Sequence, residues 1–322
     1  MVHERCAIGV EIGGTVLRIG LIGSDGRVIR STRRESAGLR DQSTAAKLLL
    51  AEITDFLGNL PIRDCAGIGI AMAGLVDDEA RTMILASNLG WRDFHLGDEI
   101  AELANMPVVV DKDTNMAALG ELATGSGKGL RSFIYAALGT GAGGAVICDG
   151  KLLRGIGNRA GEFGHVYAGG DDPCGCGLRG CLETVAGGAS ISRRAGEAVK
   201  SGCPSKTLEL AGGEADGITA VTVVQAAEQG DELAQRILAD AARAAGIAAL
   251  NAVRMIYPEA VILGGSVGSV RKFIFEPVKE FVERSSVFPG TNLPPVRVLP
   301  AGLGDTAAII GAGLSVFTPG AQ

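Results

Sequence analysis

The 322-residue chain has no excess of positive charge: 30 Lys and Arg stand against 36 Asp and Glu, a net of −6. That excludes a global basic field of the kind that draws nucleic acid. The densest basic run, Arg27, Arg30, Arg33 and Arg34, alternates with polar residues and reads as a solvated strand or loop face. The chain also lacks an uninterrupted apolar run of spanning length. After a start bearing charges of both signs, its first apolar stretch is broken by Gly9, Gly13 and Gly14. No signal peptide is visible, so no membrane partner is expected and the cytoplasm is the expected compartment. Low-complexity linkers are missing as well, and the single tryptophan, Trp91, is expected in a core or interface.

Glycine, by contrast, is abundant, with 49 residues clustered between runs of Ala, Val, Ile and Leu. This is the pattern of an α/β protein with backbone-lined loops, long enough for two domains. Residues 6–12, 17–23 and 27–32 read as short strands separated by glycine turns. Apolar positions from Ser43 to Leu60 recur at three- and four-residue steps, predicting a helix with Ser43 or Thr44 as its N-cap. Strands are expected at 65–72, 107–111, 132–138, 143–148 and 260–263. Helices are expected at 95–105, 114–124, 231–256 and 307–317. The domains expected are 1–113 with 305–322 as the smaller, and 114–304 as the larger.

Between His165 and Glu183 the chain places His165, Cys174, Cys176 and Cys181 close together. Three thiolates and an imidazole make a closed tetrahedral zinc site with no position left for substrate. A disulfide between Cys174 and Cys176 is disfavoured by their proximity. Cys6, Cys65, Cys148 and Cys203 read as buried free thiols. The metal is expected to order a binding wall flanked by Glu162 and Glu183, not to do chemistry.

Two glycine turns follow strands, Glu11-Ile-Gly13-Gly14-Thr15 and Leu138-Gly139-Thr140-Gly141. Each offers N–H groups and a hydroxyl suited to phosphate oxygens, and neither is a Walker A motif. Taken alone, each fits a tight hairpin as well as a phosphate loop. Their similarity suggests two related halves with a phosphate turn apiece, and Gly264-Gly265-Ser266 forms a third turn after an apolar run.

With Asn88-Leu-Gly-Trp91, Asp113-Thr-Asn115, Gly120-Glu121 and Glu162-Phe-Gly-His165 added to these motifs, the chain resembles the ROK family of repressors and sugar kinases. The resemblance covers nearly the whole sequence, and the zinc segment is its most specific part. It implies a two-domain actin-like ATPase (ribonuclease H-like) fold with a cleft between the domains that shuts on its substrates. It also implies ATP, Mg²⁺ and structural Zn²⁺ as cofactors. Asp113 matches the family's catalytic base. Asn88, Glu162, His165 and Glu183 match sugar contacts. Glu11, Gly13, Gly14, Thr15, Gly139, Thr140, Gly141, Gly264, Gly265 and Ser266 match the nucleotide side. A homodimer or tetramer is the family's expected assembly.

Three positions depart from the family pattern. Glu11 replaces an Asp that helps hold hydrated magnesium, and Val16 replaces a frequent Lys. Lys112 replaces an Asn at a sugar-binding position, and an ammonium cannot accept a hydrogen bond. The expected function is therefore an ATP-dependent kinase for the 6-hydroxyl of a hexose, glucokinase-like in general. The alternatives are a kinase for a modified sugar (an amino-hexose such as kanosamine, an N-acyl amino-hexose or a cyclitol) and a catalytically silent sugar sensor. A repressor is disfavoured, because the first strand is expected within about six residues of Met1, ahead of any room for a winged helix.

Overall fold

The computed structural model describes residues 5–77, 79 and 81–317. Residues 1–4 and 318–322, counted above with the smaller domain, lie outside the described residues. The chain opens with β1 (Cys6–Ile12), β2 (Val16–Gly23) and β3 (Val28–Glu35). Next come α1 (Gln42–Leu57), β4 (Ile68–Met72), β5 (Leu75–Val76), β6 (Met83–Ala86) and β7 (Trp91–Phe94). α2 (Leu96–Ala104), β8 (Val108–Lys112) and α3 (Asp113–Thr124) follow. Beyond them run β9 (Phe133–Leu138), β10 (Ala142–Cys148) and β11 (Lys151–Leu152), then the helices α4 (Glu183–Ala186), α5 (Gly188–Lys200), α6 (Lys206–Leu210), α7 (Ala220–Glu228) and α8 (Glu232–Ile256). The chain closes with β12 (Ala260–Gly264), α9 (Glu276–Ser286), β13 (Arg297–Pro300) and α10 (Ala307–Ser315).

Contacts divide the chain into two compact units. One comprises Met1–Arg131, Ala145–Gly161 and Gly302–Gln322, and the other Ser132–Gly144 and Glu162–Ala301. The division differs from the boundary expected at residue 113, because α3 packs on α10 within the first unit. Small residues allow that approach: a methyl group on Gly120 would collide with the carbonyl of Ala307, and one on Gly311 with that of Met116.

The first sheet has the order β3-β2-β1-β4-β8, antiparallel through the first three strands and parallel from β1 to β8. β1 and β4 are almost wholly buried, which fits their largely apolar sequence, interrupted in β1 only by the half-buried Glu11. On one face α10 lies directly on the strands, where Gly9 and Gly69 leave room for the carbonyls of Ile309 and Ala312. On the other, Leu49, Ile53, Phe56 and Leu57 of α1 join Ile8, Val10 and Ile70 in the core. α1 is capped by Asp41, which accepts from Ser43 N at 3.1 Å, and not by Ser43 or Thr44. The cap lies two residues ahead of Ser43, and Asp is as good an N-cap as Ser.

The second sheet has the order β11-β10-β9-β12-β13, with β12 parallel to both β9 and β13. It repeats the first sheet's plan: strands joined by short turns on one side, parallel strands reached through helices on the other. The echo between the two glycine turns is thus one of topology. In the second unit α8 provides the longest apolar face, packing on α4, α5, α7 and α9. Asp231 caps it, accepting from Ala234 N at 2.8 Å and Lys206 N at 2.6 Å. Cys6 and Cys65 are buried as expected, whereas Cys148 and Cys203 are exposed. Cys148 closes β10 beside the Asp149-Gly150 turn, where no core covers it.

Candidate active site and metal centre

In the first unit β1 delivers Glu11 and then turns sharply, with Gly13 N donating to Val16 O at 2.8 Å. A side chain at Gly14 would come within 3.3 Å of Asn88 Cβ, so the turn and Asn88 are neighbours. Glu11 accepts from Arg18 Nη1 at 2.8 Å, and Arg18 Nη2 donates to Asp305 at 2.8 Å. Burial pushes the Glu11 carboxyl above its ordinary value; Arg18 opposes that shift, and the charges of Asp113 and Asp305 add to it. Asp113 therefore lies within electrostatic reach of Glu11.

Asp113 is the first residue of α3, and its Oδ1 accepts from Thr114 N at 2.7 Å. Lys112, expected to face substrate, is only 4% exposed, and its Nζ donates to the Ala160 carbonyl at 2.8 Å.

In the second unit the turn between β9 and β10 is held from several sides. Gly188 N and Ala189 N, at the start of α5, donate to Gly139 O and Thr140 O at 2.8 and 2.9 Å. Glu183 Oε2 accepts from Ala142 N at 2.9 Å, and any side chain at Gly141 would strike that carboxylate. Leu138 O accepts from Val267 N at 2.8 Å and Gly268 N at 3.0 Å. The structure thus brings Gly139, Thr140 and Gly141 together with the Gly264-Gly265-Ser266 turn and Glu183.

His165, Cys174, Cys176 and Cys181 converge, their ligand atoms all within 4.8 Å of one another. Cys174 Sγ lies 3.5 Å from His165 Nδ1, and Cys176 Sγ lies 3.6 Å from Cys181 Sγ. Zinc–sulfur bonds of about 2.3 Å in a tetrahedron require edges close to these separations. The donor set therefore fits zinc. His165 follows Glu162 in one 3-10 turn, its N–H donating to Glu162 O at 3.0 Å, so a metal held by this cluster would also fix the backbone that carries Glu162.

Arg18 and Asp305 escaped the sequence reading. Arg18 was findable, since a hairpin closed at 13–15 makes it the register partner of Glu11. Asp305 carries no such local signal.

Two sheets of like topology, each with a glycine turn after its first strand, define the actin-like ATPase fold. A profile of the ROK family matches residues 7–317, and the chain belongs to that family. It is 32% identical over 316 residues to the glucokinase of Halalkalibacterium halodurans, covering 96% of this chain and 94% of that one. The crystal structure of a ROK family glucokinase from Streptomyces griseus in complex with glucose and AMPPNP superposes with a TM-score of 0.82. Its sequence identity is 33%, over 95% of this chain and 97% of the other. A xylose repressor from Caldicellulosiruptor bescii is 30% identical over 94% of this chain, which spans 76% of the repressor's length. Among the described residues no helix is long and apolar enough to cross a membrane.

Proposed function

We propose that the chain is an ATP-dependent sugar kinase that phosphorylates the 6-hydroxyl of a hexose, with Asp113 as general base. One observation carries the reading: Asp113 stands at the N-terminus of α3, within electrostatic reach of Glu11 beside the Gly13–Thr15 turn. The likeness to glucokinases over almost the full chain supports the same conclusion.

Asn88, Lys112, Glu162, His165 and Glu183 hold the sugar. Gly13, Gly14, Thr15, Gly139, Thr140 and Gly141 cradle phosphates through backbone N–H groups and hydroxyls, and Gly264, Gly265 and Ser266 take the nucleoside side. Asp113 accepts the proton of the 6-hydroxyl as its oxygen bonds to the γ-phosphorus and the bond to the ADP oxygen breaks. Mg²⁺, when bound, neutralises charge on the phosphates, and Glu11 is the carboxylate placed to orient its waters. His165, Cys174, Cys176 and Cys181 hold a structural zinc that stiffens the segment leading to Glu183. The enzyme works in the cytoplasm as a homodimer or tetramer.

Lys112 favours a second reading of the substrate. An ammonium bonded to Ala160 O can donate to a sugar oxygen but cannot accept, which suits the carbonyl of an N-acyl amino-hexose or a cyclitol hydroxyl. An amino-hexose such as kanosamine would bind with its own cation held away from Lys112. The repressor relative keeps a silent sugar sensor in view. Incubation of a panel of hexoses, amino-hexoses and cyclitols with Mg-ATP, read by mass spectrometry, tests all three. A hexose 6-phosphate is the expected product, and Asp113→Asn is expected to abolish it while sugar still binds. No product from any sugar would leave the sensor; full turnover by Asp113→Asn would remove the base.

A further inference from the structure

A buried polar network lies against the step from β8 into α3. Asp111 is fully buried. Its Oδ1 accepts from Lys112 N at 2.7 Å, Asn115 Nδ2 at 2.9 Å and Asn158 Nδ2 at 2.9 Å. Its Oδ2 is ion-paired with Arg154 Nη1. Asn115 Nδ2 also donates to Asn158 Oδ1 at 3.1 Å, which fixes the orientation of both amides.

Two of these partners, Arg154 and Asn158, come from a segment more than forty residues away in sequence, and that segment is pinned at both ends. Arg154 holds its start. Near its end, Ala160 N donates to Arg154 O at 2.7 Å, and Ala160 O accepts from Lys112 Nζ at 2.8 Å. Between them Asn158, 1% exposed, takes a left-handed φ of 54°, uncommon for a residue with a side chain.

This arrangement is a poor way to gain stability. A buried ion pair is often no better than apolar packing of the same volume. Two buried atoms of the network, Asn115 Oδ1 and Arg154 Nε, have no hydrogen-bond partner among the described residues, which costs further. What the network does secure is geometry. Four donors converge on Asp111, two residues before Asp113, and one of them is the amide of the residue between.

We propose that Arg154 is a positioning residue: through Asp111 it fixes the backbone step that presents Asp113, and it makes Lys112 a brace for the 154–160 segment. The proposal rests on Asp113 being the base. The guanidinium that reaches Asp111 Oδ2 through Nη1 is planar with fixed N–H directions, so it sets direction as well as charge, which a freely rotating ammonium does less well.

The test compares full-length wild type, Arg154→Lys and Arg154→Gln by hydrogen exchange and by steady-state kinetics. In Arg154→Gln, peptides covering 108–116 and 154–161 are expected to exchange about tenfold faster, with 6–12 and 68–72 unchanged. Its kcat is expected to fall about tenfold or more, since small misplacement of a reacting group is costly. KM for ATP should stay within roughly twofold, and Arg154→Lys should recover part of both losses. Unchanged exchange at 108–116, or a lowered melting temperature with wild-type kcat for the folded protein, would overturn the proposal. If Arg154→Gln fails to fold, Arg154→Lys decides by the same two readouts. Absence of kinase activity in the wild type would defeat the kinase reading instead, and exchange would still decide whether Arg154 orders the step.

Discussion

Glu11 and Arg18 are register partners on adjacent antiparallel strands, joined by a 2.8 Å hydrogen bond from Nη1 to Oε2. The pair sits one turn from the putting-together of Gly13, Gly14 and Thr15, and its balance sets how readily Glu11 carries charge. Burial raises the Glu11 carboxyl above 4.5, Arg18 pulls it back, and Asp113 and Asp305 raise it again. Arg18→Gln removes the opposing influence, so Glu11 should lose its proton only at still higher pH. Because the charged form is the one suited to magnesium's waters, the acidic limb of kcat/KM against pH is expected to move upward in this variant. An unmoved limb would place Glu11 outside the rate-determining ionisations.

The metal cluster should be separable from the chemistry. Cys176→Ser leaves three of four ligands, and zinc content, read by elemental mass spectrometry, is expected to fall well below that of the wild type. The melting temperature should drop and KM for the sugar rise, while KM for ATP changes little. A variant free of zinc with wild-type sugar KM would show that the metal does not brace the sugar wall.

At Gly141 even a methyl group is too much, since it would meet Glu183 Oε2 and displace the carboxylate from Ala142 N. Gly141→Ala is expected to raise KM for both sugar and ATP by about tenfold, the effect of losing one charged hydrogen bond. Steady-state kinetics with each substrate varied in turn checks it.

Asp231 governs a stability prediction remote from the site. Burial works to raise its carboxyl, but the amides of Ala234 and Lys206 outweigh that and hold it below 3.8. A carboxyl lowered in the folded state stabilises above its unfolded value, and the contribution fades as pH falls through the folded one. Asp231→Ala should therefore cost about 1–2 kcal/mol at pH 7 in urea unfolding. The difference from wild type should shrink as pH is taken below 3.8.

Sequence patterns were most legible where one period dominates. The apolar runs of β1 and β4, the three- and four-residue steps of α1 and the alanine-rich face of α8 each located an element to within a few residues. β5, β6 and β7 went unread because strands of two to four residues give no period to detect. α5 went unread too: Gly188-Ala-Ser-Ile-Ser-Arg-Arg-Ala-Gly carries more small and charged residues than apolar ones. At the site, the convergence of His165, Cys174, Cys176 and Cys181 was legible from spacing alone, whereas the bond that Lys112 makes was not. Its place before Asp113 matches a family sugar contact, and only the fold reveals Ala160 O as an acceptor for its ammonium. Arg154 and Asn158 were invisible for the same reason, since a pairing across 43 or 47 positions leaves no local trace.

The closeness of α10 to β1 and β4 bears on the order in which the protein can be made. Gly9 and Gly69 are emerging from the ribosome while the helix that fills the hollow above them has yet to be translated. Until residues beyond 300 appear, that face of the first sheet stays bare and apolar, a surface for chaperones to shield. Shortening the chain before Ile309 should thus yield insoluble nascent protein, even though every residue assigned to chemistry has already been made.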